Sequence, residues 1–262
     1  MQKSTFFFKS VLVSSVFLGA GLTAGAQKLP NVQQQSVYAP ASIKIDGKAN
    51  EWDYQFQAFN GANEIFYTIS NDTENLYFIA HAKEGVVIQK IIYGGITLTL
   101  KNAGKKSSVT PVSITYPLAP YPYNAMSGQT LREPKTLTDS AVLAFNKQIS
   151  DHIKVIPFTG VNAIPDSSVS VYNDLGIKAV QLVDNKKTYV YELAVPLKYL
   201  RQVIDDAGTF SYVIQVNGVD TKGRIVIGGT SMSDPQEAPV SHGASFMTSP
   251  TYCKGEYTLA KK

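Results

Sequence analysis

Ile43-Lys44-Ile45-Asp46-Gly47-Lys48-Ala49-Asn50-Glu51-Trp52 leads into Glu64-Ile65-Phe66-Tyr67-Thr68-Ile69-Ser70 and Leu76-Tyr77-Phe78-Ile79-Ala80-His81-Ala82, the latter two joined by Asn71-Asp72-Thr73-Glu74-Asn75. The joining residues are turn formers and both flanking runs are rich in aromatic and β-branched residues, which predicts an antiparallel hairpin. Ile43-Lys44-Ile45 reads as a short strand before it. Further strands are expected at Ile91-Ile92-Tyr93, at Ile96 to Leu100, and at Val112 to Tyr116. They continue at Ile153 to Phe158, Val169 to Tyr172, Lys178 to Val183 and Thr188 to Val195, then at Phe210 to Val219, Arg224 to Gly228 and Tyr252 to Leu259. So many short strands bounded by Gly, Asn, Asp or Pro predict an all-β fold, a two-sheet antiparallel β-sandwich of jelly-roll or immunoglobulin-like type. Two short helices are expected to interrupt it. One runs from about Thr138 to Ile149, with Val142, Phe145 and Ile149 at helical spacing, and the other from Pro196 to Ile204.

Residues 1–26 read as a signal peptide: Lys3 and Lys9, an apolar run from Val11 to Leu22, and Ala24-Gly25-Ala26 as the cleavage site. Residues 27–262 then form a single domain, periplasmic or secreted, with no membrane insertion after cleavage. The signal peptide holds two lysines and no acidic residue, so the net charge falls from +4 to +2. A balance so mild, without a basic cluster, argues against nucleic acid as a partner. The single cysteine, Cys253, excludes an intramolecular disulfide and is expected to be buried in the last strand.

The run "IDGKANEW" followed by "YTISNDTENLYFIAHA" resembles the opening of family 9 carbohydrate-binding modules and their DOMON-like relatives. Ile91 to Leu100, Val171 to Ala179 and Tyr191 to Leu197 are similar to later blocks of exported Bacteroidetes-type members, so the likeness spans roughly Val37 to Leu259. It implies a β-sandwich in which Trp52 is a packing residue. It also implies a carbohydrate ligand, although the pair of Trp residues that clamps sugar in such modules has no counterpart, Trp52 being the only Trp. The DOMON side of the likeness implies haem or another small ligand instead, with His81, His152, His242, Met126, Met232 and Met247 as the available ligands; His242 is the favoured one. A structural calcium is a further implication, for which Asp46, Glu51, Asp53, Asn71, Asp72 and Glu74 supply oxygen atoms.

Neutral sugars are held by an aromatic ring stacked on the pyranose and by polar side chains forking to its hydroxyls. The Pro-rich stretch Pro117 to Pro134 gathers Tyr116, Tyr121, Tyr123, Asn124 and Arg132, the expected ligand-binding residues; Gly229 to Pro250 is the second irregular stretch in which a site is expected. No nucleophile elbow, zinc signature or phosphate loop occurs, so no catalytic residue is assigned and a non-enzymatic role is expected. Glu192 alternates to the same face as Val190 and Ala194 and is expected to form a buried ion pair with Arg224 or a lysine. These readings describe an exported carbohydrate-binding protein. The alternatives are a DOMON-type haem or small-ligand binder, and an envelope interaction protein without a small ligand.

Overall fold

A computed structural model of the chain describes residues 28–104, 108–118, 137–219, 225–226 and 245–262. The elements are β1 (Ala58–Asn60), β2 (Ile65–Asn71), β3 (Asn75–Ala82), α1 (Gly85–Gly94), β4 (Ile96–Asn102), β5 (Val112–Tyr116), α2 (Asp139–His152), β6 (Val155–Thr159), β7 (Ser168–Ser170), β8 (Lys178–Val183), β9 (Tyr189–Pro196), β10 (Thr209–Val216), β11 (Gly218–Val219), β12 (Ile225–Val226) and β13 (Thr251–Thr258). Two antiparallel sheets result, β1-β2-β3-β9-β8 and β13-β10-β4-β5-β6-β7, with β11-β12 as a separate ribbon. The fold is thus the two-sheet, all-β sandwich that strand periodicity predicts.

Alternation sets the core. Ile65, Tyr67 and Ile69 of β2 and Tyr189, Tyr191 and Leu193 of β9 point into one apolar cluster with Leu98 of β4 and Ile214 of β10. The hairpin closes as expected, with Asn71 opposite Leu76 and Phe66 opposite His81. Its loop is held by Asp72, whose carboxylate accepts the N–H groups of Glu74 and Asn75 at 2.7 Å and the Tyr77 hydroxyl at 2.7 Å. Where short β1 leaves β2 unpaired, the Gln33 amide takes the place of a strand: it accepts from the N–H of Ile69 at 2.7 Å and donates to that residue's C=O at 2.8 Å. Cys253 is buried on β13, as expected for a packed thiol.

The structure corrects three local expectations. Ile91 to Tyr93 belong to helix α1, whose Val87, Ile88, Ile91 and Ile92 are all buried. The Pro196 to Ile204 helix reduces to one 3-10 turn, Leu197–Tyr199, because β9 extends through Pro196. Ile43 to Ile45 form no strand. After residues 33–39 have run along the free edge of β2, residues 40–57 cover the outer face of the five-stranded sheet and pack Ile43 and Ile45 against Tyr77 and Ala194. The expected helix at 138–149 is present as α2, with the Thr138 hydroxyl accepting the N–H of Ala141 as its cap.

That outer layer explains the opening motif. Trp52, 9% exposed, packs with Ala49, Phe56, Ile79 and Val190, so it holds the layer to the sheet from outside rather than filling the space between sheets. Gly47 has φ +80°, and a Cβ there would stand 2.5 Å from Leu182 of β8, so only glycine fits the turn.

Candidate functional site

The layer and the sheet leave a cleft of about 660 Å³ at their edge. Leu29 lines one side of it, and three further pieces of chain supply its aromatic and polar groups. The first follows the 3-10 turn Asn50–Trp52: Asp53 and Tyr54 take left-handed backbone, φ 48° and 54°, and the chain returns to the sheet at Phe56. Left-handed backbone at two successive non-glycine residues costs on the order of 1–3 kcal/mol each, and such strain gathers at functional sites. Its effect here is to leave the Tyr54 ring 50% exposed at the rim while Phe56 goes inward.

The second piece is the outer face of the hairpin. Phe66 and His81 are direct cross-strand partners, and Phe56 lies parallel to the imidazole, with centroids 5.2 Å apart and planes at 6°. Tyr54 meets the same imidazole edge-on at 6.2 Å. The floor is therefore a continuous aromatic surface. Lys83, one alternation beyond His81, sets its ammonium 4.8 Å over the Phe66 ring.

The third piece is the β8-β9 turn. Asp184 accepts the N–H groups of Lys186 at 3.0 Å and Thr188 at 2.7 Å, and the Thr188 hydroxyl at 2.8 Å. The turn projects Lys186 and Thr188 at the cleft, with Gln55 among its other polar side chains.

His81 is 5% exposed, and its Nδ1 is buried with no hydrogen-bond partner among the described residues. Burial, helped by the Lys83 charge and opposed by Asp184, lowers its pKa to about 4, so the imidazole is neutral at ordinary pH. The cleft can thus offer an aromatic wall, an exposed ring at the lip and several hydrogen-bonding groups to a polar ligand.

Glu192 sits on the same sheet face, opposite Ile79. One of its oxygens, Oε2, accepts the N–H groups of Asp46 at 2.9 Å and Gly47 at 2.8 Å. It clamps the Asp-Gly turn to β9, where an ion pair with Arg224 or a lysine was expected; Arg224 lies outside the described residues. Burial is the main cause that raises its pKa to about 7, against the two N–H bonds and with help from Asp46 and Glu51.

Of the ligand-binding residues expected from sequence, Tyr121, Tyr123, Asn124 and Arg132 lie outside the described residues, as do His242, Met126 and Met232. Tyr116 is 6% exposed and stacks on Tyr191 at 5.8 Å inside the sandwich, where burial raises its hydroxyl pKa to about 12. A ring so placed fills core and offers no face to a sugar. His152 is exposed at the end of α2, and Met247 packs on the core. Among the described residues no three or more His, Cys, Asp or Glu side chains converge as a metal cage, and Asp72 is engaged by its own hairpin. No described helix is long and apolar enough to cross a membrane. Sequence reasoning missed the cleft, although Phe66 and His81, paired once the hairpin is drawn, carried a signal of it. In comparison with known proteins, no protein-family model matches this chain and no curated protein is similar to it.

Proposed function

We propose that this is an exported, non-catalytic binding protein of the family 9 carbohydrate-binding-module type, and that the cleft beside Tyr54 holds a saccharide. The observation that supports this reading is the half-exposed Tyr54 ring, set in left-handed backbone above the Phe56, Phe66 and His81 floor. Strained backbone that presents an aromatic ring to solvent lowers stability and is retained more readily where the ring has a use. Stacking on a pyranose is such a use, and the cleft's size lies in the range of small-ligand sites. The resemblance in the opening motif supports the same ligand class and the export signal the same compartment.

Tyr54→Gly is the test, because glycine removes the ring and accepts the left-handed backbone. Screened on a glycan array, the wild-type chain is expected to retain at least one saccharide and the variant to lose it by tenfold or more, with stability unchanged or higher by about 0.5–1 kcal/mol. Equal retention by both proteins would remove the cleft as the site.

A DOMON-type reading has one observation in its favour, an imidazole in the floor of a cleft this wide. Haem bound there would give a Soret band that His81→Phe abolishes. A purified, exported chain without that band excludes this reading.

A further inference from the structure

The charged side chains of the cleft are unequally engaged. Asp184 accepts three hydrogen bonds from its own turn, which tie its carboxylate to the hairpin backbone and to Thr188. The ammonium groups of Lys83 and Lys186 have no carboxylate within ion-pair distance among the described residues. Both side chains are exposed, and they enter from different elements, the end of β3 and the β8-β9 turn. Lys83 is steadied over the Phe66 ring at 4.8 Å, so its charge is held at the edge of the aromatic floor rather than swinging free. With the His81 imidazole neutral, the two ammonium groups are the cations that line the cleft among the described residues. A wholly neutral ligand would use the rings and Gln55 and leave both ammonium groups facing water. A ligand with an anionic substituent uses all of them.

Resting on the carbohydrate reading above, we infer that the cleft selects an anionic saccharide, one carrying carboxylate or sulfate, over its neutral counterpart. The sugar ring stacks at Tyr54 and the anionic substituent lies between Lys83 and Lys186. An exposed charge pair contributes little by itself, about 0.2–1 kcal/mol, so two together discriminate by roughly 2- to 30-fold, and salt screens them. The ammonium pair is thus a selector added to the aromatic site, which supplies most of the affinity.

The test titrates the exported chain with matched pairs: oligogalacturonate, oligoglucuronate and oligomannuronate, each against its carboxyl-reduced form, and a sulfated galactan oligosaccharide against its desulfated form. The expected result is tighter binding of at least one acidic member than of its neutral partner. That preference should shrink about 2- to 30-fold in Lys83→Ala/Lys186→Ala and on raising the salt from about 0.05 to 0.5 M. Lys44→Ala/Lys178→Ala, which removes the same net charge from exposed positions outside the cleft, should keep it. The uronate and sulfate arms tell which anion is read. Equal affinity for acidic and neutral members, or an acidic preference untouched by Lys83→Ala/Lys186→Ala, overturns the inference and leaves the carbohydrate reading standing. Failure of every saccharide to bind overturns both.

Discussion

Two buried titratable groups on the outer face of one sheet impose opposite pH dependences, and cutting one should expose the other. Glu192 is 1% exposed and its pKa is raised to about 7 from an ordinary 4.5; His81 is 5% exposed and lowered to about 4 from 6.5. For Glu192 the native state keeps its proton to higher pH than the unfolded chain. Its contribution is complete below about pH 4.5 and is lost as pH rises through 7. For His81 the unfolded chain takes up a proton that the native state refuses, so stability is lost as pH falls from about 6.5 to 4. Each displacement corresponds to about 3 kcal/mol. Between pH 4.5 and 6.5 the two slopes cancel, and the wild-type melting temperature should vary little there.

Glu192→Gln should unmask His81. Both N–H bonds converge on a single oxygen, Oε2, so the carbonyl of glutamine can keep the clamp on Asp46 and Gly47 while losing the titration. The variant should gain about 2–3 kcal/mol between pH 4.5 and 6.5, or roughly 5–10 °C for a chain of this size. His81→Phe, stacked on Phe56 in the same way, should show the reverse, losing stability over that range. Thermal unfolding followed by circular dichroism across pH 4–8 reads all three proteins. If Glu192→Gln and wild type keep a constant difference at every pH, Glu192 does not titrate in this window and the reasoning fails.

Two other substitutions follow from the same face and the core. Gly47→Ala combines a disfavoured backbone with a collision against Leu182, and is expected to cost about 2 kcal/mol or more in chemical denaturation, as severe as loss of the Glu192 clamp itself. Lys90 is fully buried on α1, its ammonium has no hydrogen-bond partner among the described residues and lies 4.4 Å over the Phe246 ring, and burial lowers its pKa to about 8. Lys90→Met should therefore raise stability at pH 7 by about 1–3 kcal/mol, and the gain should shrink as pH rises past 8 toward 10.5, where the unfolded chain also loses its proton.

Strands that alternate, such as β8, β10 and β13, were legible because one face meets the core and the chain's polarity records it, whereas β2, β3 and β9 are buried on both faces and were legible from their aromatic and β-branched runs. Helix α1 was misread for a related reason. Val86, Val87, Ile88, Ile91 and Ile92 are β-branched and the helix is buried on most sides, so its sequence lacks the polar stripe that separates a helix from a buried strand. Ile43 to Ile45 misled in another way: they are apolar because they pad the outside of a sheet, which needs no strand pairing. The role of Trp52 as a packing residue was legible from its motif, and the face it packs against was not. The cleft was hidden by distance in sequence. Tyr54, the Phe66–His81 pair and the turn around Lys186 meet only after the sheet order places β2, β3, β9 and β8 side by side. Tyr116, Tyr121 and Tyr123 are close together in sequence, whereas Phe66 and His81 become neighbours only through the β2-β3 pairing. Glu192 shows the same limit, since its alternation predicted burial while its partners, two backbone N–H groups 145 residues or more away, left no charge pattern to read.

The measurement that bears most directly on the cleft as a saccharide site is amide chemical-shift mapping by NMR during titration with whichever oligosaccharide the array retains. The largest shifts are expected at residues 53–56, 81–83 and 184–188, saturating together with one dissociation constant. Shifts concentrated at residues 114–118 and absent from those three segments would place the ligand at the end of the sandwich and contradict the cleft as its site.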